Sequence, residues 1–216
     1  MSDIRNYVSS DRRDFEHDSI RVKDLTTDPL NQFEQWLEEA VNGGVREPYA
    51  FCLSTLGLDG YPSSRIVFLR GIEERGLIFY TNYSSLKGAE LAEDERAAFN
   101  FHWDEQDRQI RVKGKVVKID KSVSDAYYAK RPRGSQLGAW ASSQSQVLGS
   151  RQELIDRIKD LEAKYDGQDI PRPEHWGGYI LEPESWEFWQ GRQSRLHDRF
   201  RYQKQESVWT IHRLNP

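Results

Sequence analysis

Cysteine is nearly absent. Cys52 is the only one in 216 residues, so neither an intrachain disulfide nor a cysteine-built metal site is available. Long hydrophobic runs are missing too: nowhere do roughly 18 apolar residues follow one another to span a bilayer. The N-terminus MSDIRNYVSSDRRDF is charged throughout and has no apolar segment of the kind an export signal needs, so the expectation is a cytoplasmic protein with no membrane partner. Charge of one sign is also lacking, since 35 acidic and 31 basic residues leave a net −4. No overall field draws nucleic acid to such a molecule, and any basic site must be local. G-x-G-x-x-G, the phosphate-binding loop and the G-x-S-x-G elbow do not occur. His17, His102, His175, His197 and His212 show no metal-ligand spacing, and no metal is expected.

What is present is aromatic: seven Trp, ten Tyr and nine Phe in a chain whose mean hydropathy is −0.84. Large rings bury much area per residue, which favours a folded globule over disorder despite the low aliphatic content. The length suits a single domain. Residues 1–27 read as a polar, mobile arm with one dense patch, Arg12-Arg13-Asp14-Phe15, and residues 28–216 as the folded domain. Asp28-Pro29 opens a helix with Leu30, Phe33, Leu37, Ala40 and Val41 on one side, and Gly43-Gly44 closes it.

Strand formers follow at 49–56, 63–70 and 77–81 with turns between them, an expected antiparallel meander. Within it Cys52 reads as a buried thiol, and Arg65 and Arg70 as the two ends of one buried strand. Ser84 or Ser85 caps a short helix, and 97–103 and 109–119 add two strands. A helix through Tyr127 and Tyr128 must stop before Pro132. The next stretch, RGSQLGAWASSQSQ, reads as loop and short helix. Ser150 and Glu153 form a capping box for a helix carrying Leu154, Ile155, Ile158, Leu161 and Tyr165. Strands return at 178–181, 185–190, 199–203 and 208–213. Many strands with few, irregularly spaced helices argue for an antiparallel barrel with peripheral helices and against a doubly wound sheet.

The chemistry concentrates near the end. Between the aromatic runs Trp186, Phe188, Trp189 and Phe200, Tyr202 lies a polar connection holding Arg192, Arg195, His197 and Arg199. Guanidinium forks hold phosphate or carboxylate and stack on flat rings, and imidazole titrates near neutrality, so this cluster suits a planar anion. Arg65, Arg70, Lys87, Arg131 and Ser135 extend the set of anion-binding candidates. For each, the competing reading is a solvated surface charge.

The segment WQG-x-x-x-RLHDR with its terminal W-x-x-x-RL-x-P resembles the pyridoxine (pyridoxamine) 5′-phosphate oxidase family. So do RIVFLR (65–70), YTNYSSLKG (80–88), RQIRVKG (108–114), YYAKRPRGSQLGAWAS-x-QS (127–145) and HWGG (175–178). The resemblance runs from about residue 12 to the end. It implies a mostly β, single-domain, FMN-binding split β-barrel that works as a homodimer with flavin at the subunit interface. It further implies FMN contacts from Arg65, Ile66, Val67, Phe68, Leu69, Arg70, Tyr80, Thr81, Lys87, Gln109, Gln144, Ser145, Trp189 and Arg199, with Arg65, Lys87 and Ser145 on the phosphate. The substrate phosphate would fall to Arg70, Tyr127, Arg131 and Ser135. Arg195, Leu196 and His197 would lie by the substrate ring, Arg195 and His197 as the catalytic pair, with Arg12, Arg13, Asp14 and Phe15 closing over it.

The implied reaction converts pyridoxine 5′-phosphate or pyridoxamine 5′-phosphate to pyridoxal 5′-phosphate with reduction of O2 to H2O2. A non-catalytic flavin or pyridoxal-phosphate binder is the alternative. Three positions depart from the family pattern. Arg70 replaces the usual lysine, Phe15 a frequent tyrosine, and Leu86 a basic residue that often precedes Lys87.

Overall fold

The computed structural model describes residues 4–10, 13–15 and 19–216; Arg12 of the expected arm lies outside them. In chain order the elements are α1 (Ile4–Ser10), α2 (Pro29–Asn42), β1 (Ala50–Leu56), β2 (Pro62–Phe68), β3 (Gly71–Glu73), β4 (Gly76–Asn82), α3 (Leu86–Glu93), β5 (Arg96–Trp103) and β6 (Arg108–Lys118). There follow α4 (Lys121–Ala129), α5 (Arg133–Ala141), α6 (Arg151–Lys164), β7 (Trp176–Gln190), β8 (Asp198–Gln205) and β9 (Val208–Leu214). The strand order is β2-β1-β5-β6-β7-β4-β3, with β8 beside β7 and β9 beside β8. Every pairing with a described register is antiparallel.

The chain forms two compact units. The first comprises Met1–Pro48, Phe101–Arg111 and Ser185–Pro216; the second comprises Tyr49–Asn100 and Val112–Glu184. In the first, α2 begins as its sequence dictates. The Asp28 carboxylate accepts from the backbone N–H of Leu30 and Asn31, and Pro29 needs no donor at that position. Its inward face brings Phe33 against Phe101 and Trp186, at ring separations of 5.0 and 5.5 Å, and Trp36 edge-on to Phe188 at 5.2 Å. Such ring pairs add about 0.5–1.5 kcal/mol each beyond area burial, which is how a chain short of aliphatics builds its core. The hairpin β8–β9 and its neighbour β7 complete this unit, with Phe200 and Tyr202 fully buried.

In the second unit, Phe51 stacks on Phe99 at 4.1 Å, and Phe79 meets both edge-on. A smaller cluster of Tyr128, Leu137, Tyr165, Ile170 and Trp176 joins α4, α5 and the end of α6 to the start of β7.

Four expectations need correction. The meander fails because β4 pairs with β3 and β7, leaving β2 as an edge strand with β1 as its neighbour. For the same reason the Arg65-to-Arg70 strand is not buried: Ile66 is 67% and Phe68 37% exposed. Cys52 is half-buried, because Phe51 and Leu53 take the core face of β1 and alternation turns Cys52 the other way. The expected break at 182–184 is absent, since one strand, β7, runs through Pro183, whereas α4 stops at Ala129, before Pro132, as expected.

Candidate active site

The second unit contains a cavity of about 600 Å³ lined by Ile66, Val67 and Phe68 of β2, Arg70, Tyr80 and Thr81 of β4, Lys87 of α3, Tyr127, Lys130, Arg131, Pro132, Ser135, Gln144 and Trp176. Four cations line it and no carboxylate does. Three rings make a flat wall: Tyr80 stacks on Tyr127 at 3.8 Å and 6°, and on Trp176 at 5.4 Å and 9°. Burial pushes the Tyr80 hydroxyl up to about 12, so it stays a neutral donor at physiological pH.

The Arg131 guanidinium lies over Trp176 at 4.3 Å. Its Nη1 is buried and has no hydrogen-bond partner among the described residues. Desolvation lowers its affinity for its proton. A buried, unanswered guanidinium nitrogen costs stability unless something fills the place, and an anion is the group that would.

Lys87 is in a similar position. It is 9% exposed, and its Nζ reaches only neutral acceptors, Thr81 Oγ1 at 3.3 Å, Ser85 Oγ at 3.4 Å and Gln144 Oε1 at 3.4 Å. Burial and the nearby Arg65 charge lower its pKa, against the pull of Glu90. Ser145 adopts a left-handed backbone, φ 74°, and its Oγ accepts from the N–H of Leu86 at 3.1 Å. A non-glycine residue in that region stores strain, here at the turn beside Gln144.

Of the expected residues in this unit, Ile66, Val67, Phe68, Arg70, Tyr80, Thr81, Lys87, Tyr127, Arg131, Ser135 and Gln144 meet at the one cavity. Arg65, Leu69 and Ser145 are not on its wall. Leu69 is buried, and Arg65 turns toward Thr55, Ser63 and Glu90. Lys130, Pro132 and Trp176 line the cavity without having been singled out. The sequence did carry a signal for two of them, the basic KRPR run beside a helix end and the tryptophan of HWGG.

The first unit holds Gln109, half-buried on β6, and the other candidates around the connection from β7 to β8. Ser194 and Arg195 are both left-handed, at φ 55° and 63°. His197 Nδ1 accepts from the backbone N–H of Arg192 at 3.1 Å, which leaves Nε2 to carry the proton of the neutral ring. Burial, then Arg195 and Arg199, lower the His197 pKa against an opposing pull from Asp14.

Phe15 packs here, edge-on to His197 at 5.3 Å and to Trp189 at 5.7 Å, beneath the Arg195 guanidinium at 5.2 Å. It rests on Gly191, where a side chain would come within 2.7 Å of the ring. The arm is pinned on either side of Phe15. Arg13 pairs with Asp104 at 2.9 Å and with buried Asp107, and Asp14 accepts from the Ser194 N–H at 3.2 Å. Arg199 binds Glu187 at 2.9 Å, and its Nη1 donates to Asn215 O at 2.9 Å. Leu196 is 69% exposed.

A strongly antiparallel sheet, a cationic cavity walled by stacked rings and a histidine loop pinned by an arm define the class, an FMN-binding split barrel. The fold is shared by a solved structure of PhzG from Burkholderia lata, in complex with tetrahydrophenazine-1-carboxylic acid. It superimposes with a TM-score of 0.86 at 35% identity over 92% of this chain and 98% of that one. A pyridoxamine 5′-phosphate oxidase-related, FMN-binding protein from Nostoc punctiforme shares the fold at a TM-score of 0.70 and 16% identity, covering 88% of this chain and 98% of its own.

Residues 37–165 match the family model for pyridoxamine 5′-phosphate oxidase, and residues 176–216 the model for the pyridoxine 5′-phosphate oxidase C-terminal dimerisation region. A pyridoxine/pyridoxamine 5′-phosphate oxidase from Acaryochloris marina is 49% identical over 97% of this chain and 95% of its own. One from Cupriavidus pinatubonensis is 50% identical over 95% and 97%. The chain belongs to the pyridoxamine 5′-phosphate oxidase family.

Proposed function

We propose that this protein is an FMN-dependent oxidase that converts pyridoxine 5′-phosphate or pyridoxamine 5′-phosphate to pyridoxal 5′-phosphate, with O2 reduced to H2O2. The observation that carries this reading is the buried Arg131 Nη1 without a partner, in a cavity that gathers Arg70, Lys87, Lys130 and Arg131 and no carboxylate. Those residues fit phosphate-bearing planar ligands, because Lys87 and the Arg131 Nη1 are desolvated and the rings of Tyr80, Tyr127 and Trp176 line the cavity.

FMN, when bound, supplies the hydride acceptor and the route to O2. Arg65, Thr81, Lys87, Gln144, Ser145 and the β2 backbone are assigned to holding it, with Arg65, Lys87 and Ser145 at its phosphate and Gln109, Trp189 and Arg199 as further contacts. Arg131, Arg70, Tyr127 and Ser135 are assigned to the substrate phosphate, Arg131 and Arg70 as charged forks and the two hydroxyls as neutral donors. Arg195 and His197 are assigned to the substrate ring. His197 offers an Nε2–H donor, since Nδ1 is already occupied. Arg195, strained and exposed, stabilises the charge that develops on the substrate's oxygen or nitrogen as that atom loses its proton and C4′ gives up a hydride. A homodimer completes the reading, supported by the match of residues 176–216 to a dimerisation region, and its proposed location is the cytoplasm.

Anaerobic mixing of the flavin-loaded protein with pyridoxine 5′-phosphate tests the proposal. Bleaching of the flavin spectrum supports hydride transfer, and an unchanged spectrum on saturating ligand leaves a binder. The PhzG relative was solved with a tricyclic carboxylate, so that ligand class serves as the competing substrate. Faster bleaching by it than by the phosphate ester contradicts the proposed specificity.

A further inference from the structure

We propose that Glu90 is a positioning residue that sets FMN affinity by fixing Arg65, an inference resting on the assignment of Arg65 to the flavin phosphate. Glu90 is 1% exposed and is not on the cavity wall, yet it carries a carboxylate in a region otherwise rich in cations. Its Oε2 accepts from Thr55 Oγ1 at 2.6 Å and from Arg65 Nη2 at 2.7 Å. Arg65 Nη1 donates to Thr55 Oγ1 at 2.5 Å and to Ser63 O at 3.3 Å, and Nη2 also donates to Ser63 Oγ at 2.5 Å. Thr55 and Ser63 face one another in the β1–β2 register. Both terminal nitrogens of the guanidinium are therefore tied to a rigid strand pair and to α3, and Nε–H is the donor left for a ligand.

Lys87 lies one helical turn before Glu90 and feels both neighbours. Arg65 opposes its charge and Glu90 supports it. Without the carboxylate, buried Lys87 and half-buried Arg65 would face each other with no counter-charge between them. Glu90 also repels an incoming phosphate, which works against affinity. Positioning prevails because an unanchored arginine gives up rotamer freedom each time it binds, whereas one held by four contacts does not.

The test compares FMN with riboflavin, which lacks the phosphate, in fluorescence titrations of the apoprotein. Glu90→Ala is expected to bind FMN about tenfold more weakly and riboflavin as the parent does. Glu90→Gln, which keeps an acceptor for Thr55 and Arg65, is expected to stay within about threefold of the parent for FMN. Parallel loss of both flavins in Glu90→Ala would mean a merely structural role and overturn the inference. So would unchanged or tighter FMN binding in Glu90→Ala, or an equal loss in Glu90→Gln. Arg65→Ala separates the two layers. If it weakens FMN while Glu90→Ala does not, only the role of Glu90 falls; if it leaves the preference for FMN over riboflavin intact, the assignment of Arg65 falls and this inference with it.

Discussion

The ion-paired clusters of the first unit and the cavity of the second hold their cations in opposite ways. In the first, arginines are answered from within: Arg199 and Arg111 by Glu187, Arg213 by Asp198 at 2.6 Å, Arg108 by Glu39 at 2.5 Å and Arg13 by Asp107. In the second, Arg131 has an unanswered buried nitrogen and Lys87 has only neutral, distant acceptors. The unanswered pair lies in the cavity to which the proposal assigns the phosphates.

If the comparison holds, breaking an answered cluster costs stability and breaking the unanswered one costs ligand. Glu187→Ala leaves Arg199 and Arg111 without their shared carboxylate, which is 10% exposed against 26% and 43% for its partners. Discounted for that partial exposure, the expected loss is about 2–3 kcal/mol of folding stability, visible in a denaturant titration. A loss below about 0.5 kcal/mol would place this cluster with ordinary surface pairs.

Arg131→Ala is expected to do the reverse. It should leave stability unchanged or slightly raised, because an unsatisfied buried cation is removed, and weaken pyridoxine 5′-phosphate by about 1.5–3 kcal/mol, roughly tenfold to a hundredfold. Steady-state KM together with thermal denaturation checks both halves.

The smallest effect concerns pH. The His197 pKa is lowered in the folded protein, so below the unfolded value the unfolded chain binds more protons. Stability from this group is present above about pH 6.5 and is lost as pH falls through the folded pKa. His197→Asn is expected to flatten that part of the stability profile. At saturating substrate it should also lower flavin reduction if the ring donates through Nε2–H, whereas a change confined to substrate affinity would make it a clamp.

Much of this was legible beforehand, and for local reasons. Asp28 and Ser150 cap helices where their side chains predict it, and the strand-forming runs formed strands. Pairing was not legible. Nothing local in 63–70 says that β2 ends at an edge while β4 seeks β7, because partner choice depends on contacts far apart in sequence. At α6 the apolar face that the periodicity marks is only half covered, and Ile155 is 37% exposed.

Of the site, the arginines, the histidine and Lys87 were named from the sequence. Glu90, Glu187 and Asp107 were not, since a carboxylate that anchors a distant arginine has no motif. Phe15 was read as a lost hydroxyl. Its ring packs on Gly191, Trp189 and His197, contacts that the phenyl group makes without a hydroxyl.

The most direct test of the claim that the unanswered cations await a phosphate is a comparison of pyridoxine 5′-phosphate with pyridoxine in anaerobic flavin reduction, read as the concentration giving half-maximal rate. The account predicts that the phosphorylated substrate saturates at least about a hundredfold lower, as charge-assisted bonds from Arg131 and Arg70 would add roughly 3 kcal/mol. Equal saturation by the two would contradict it.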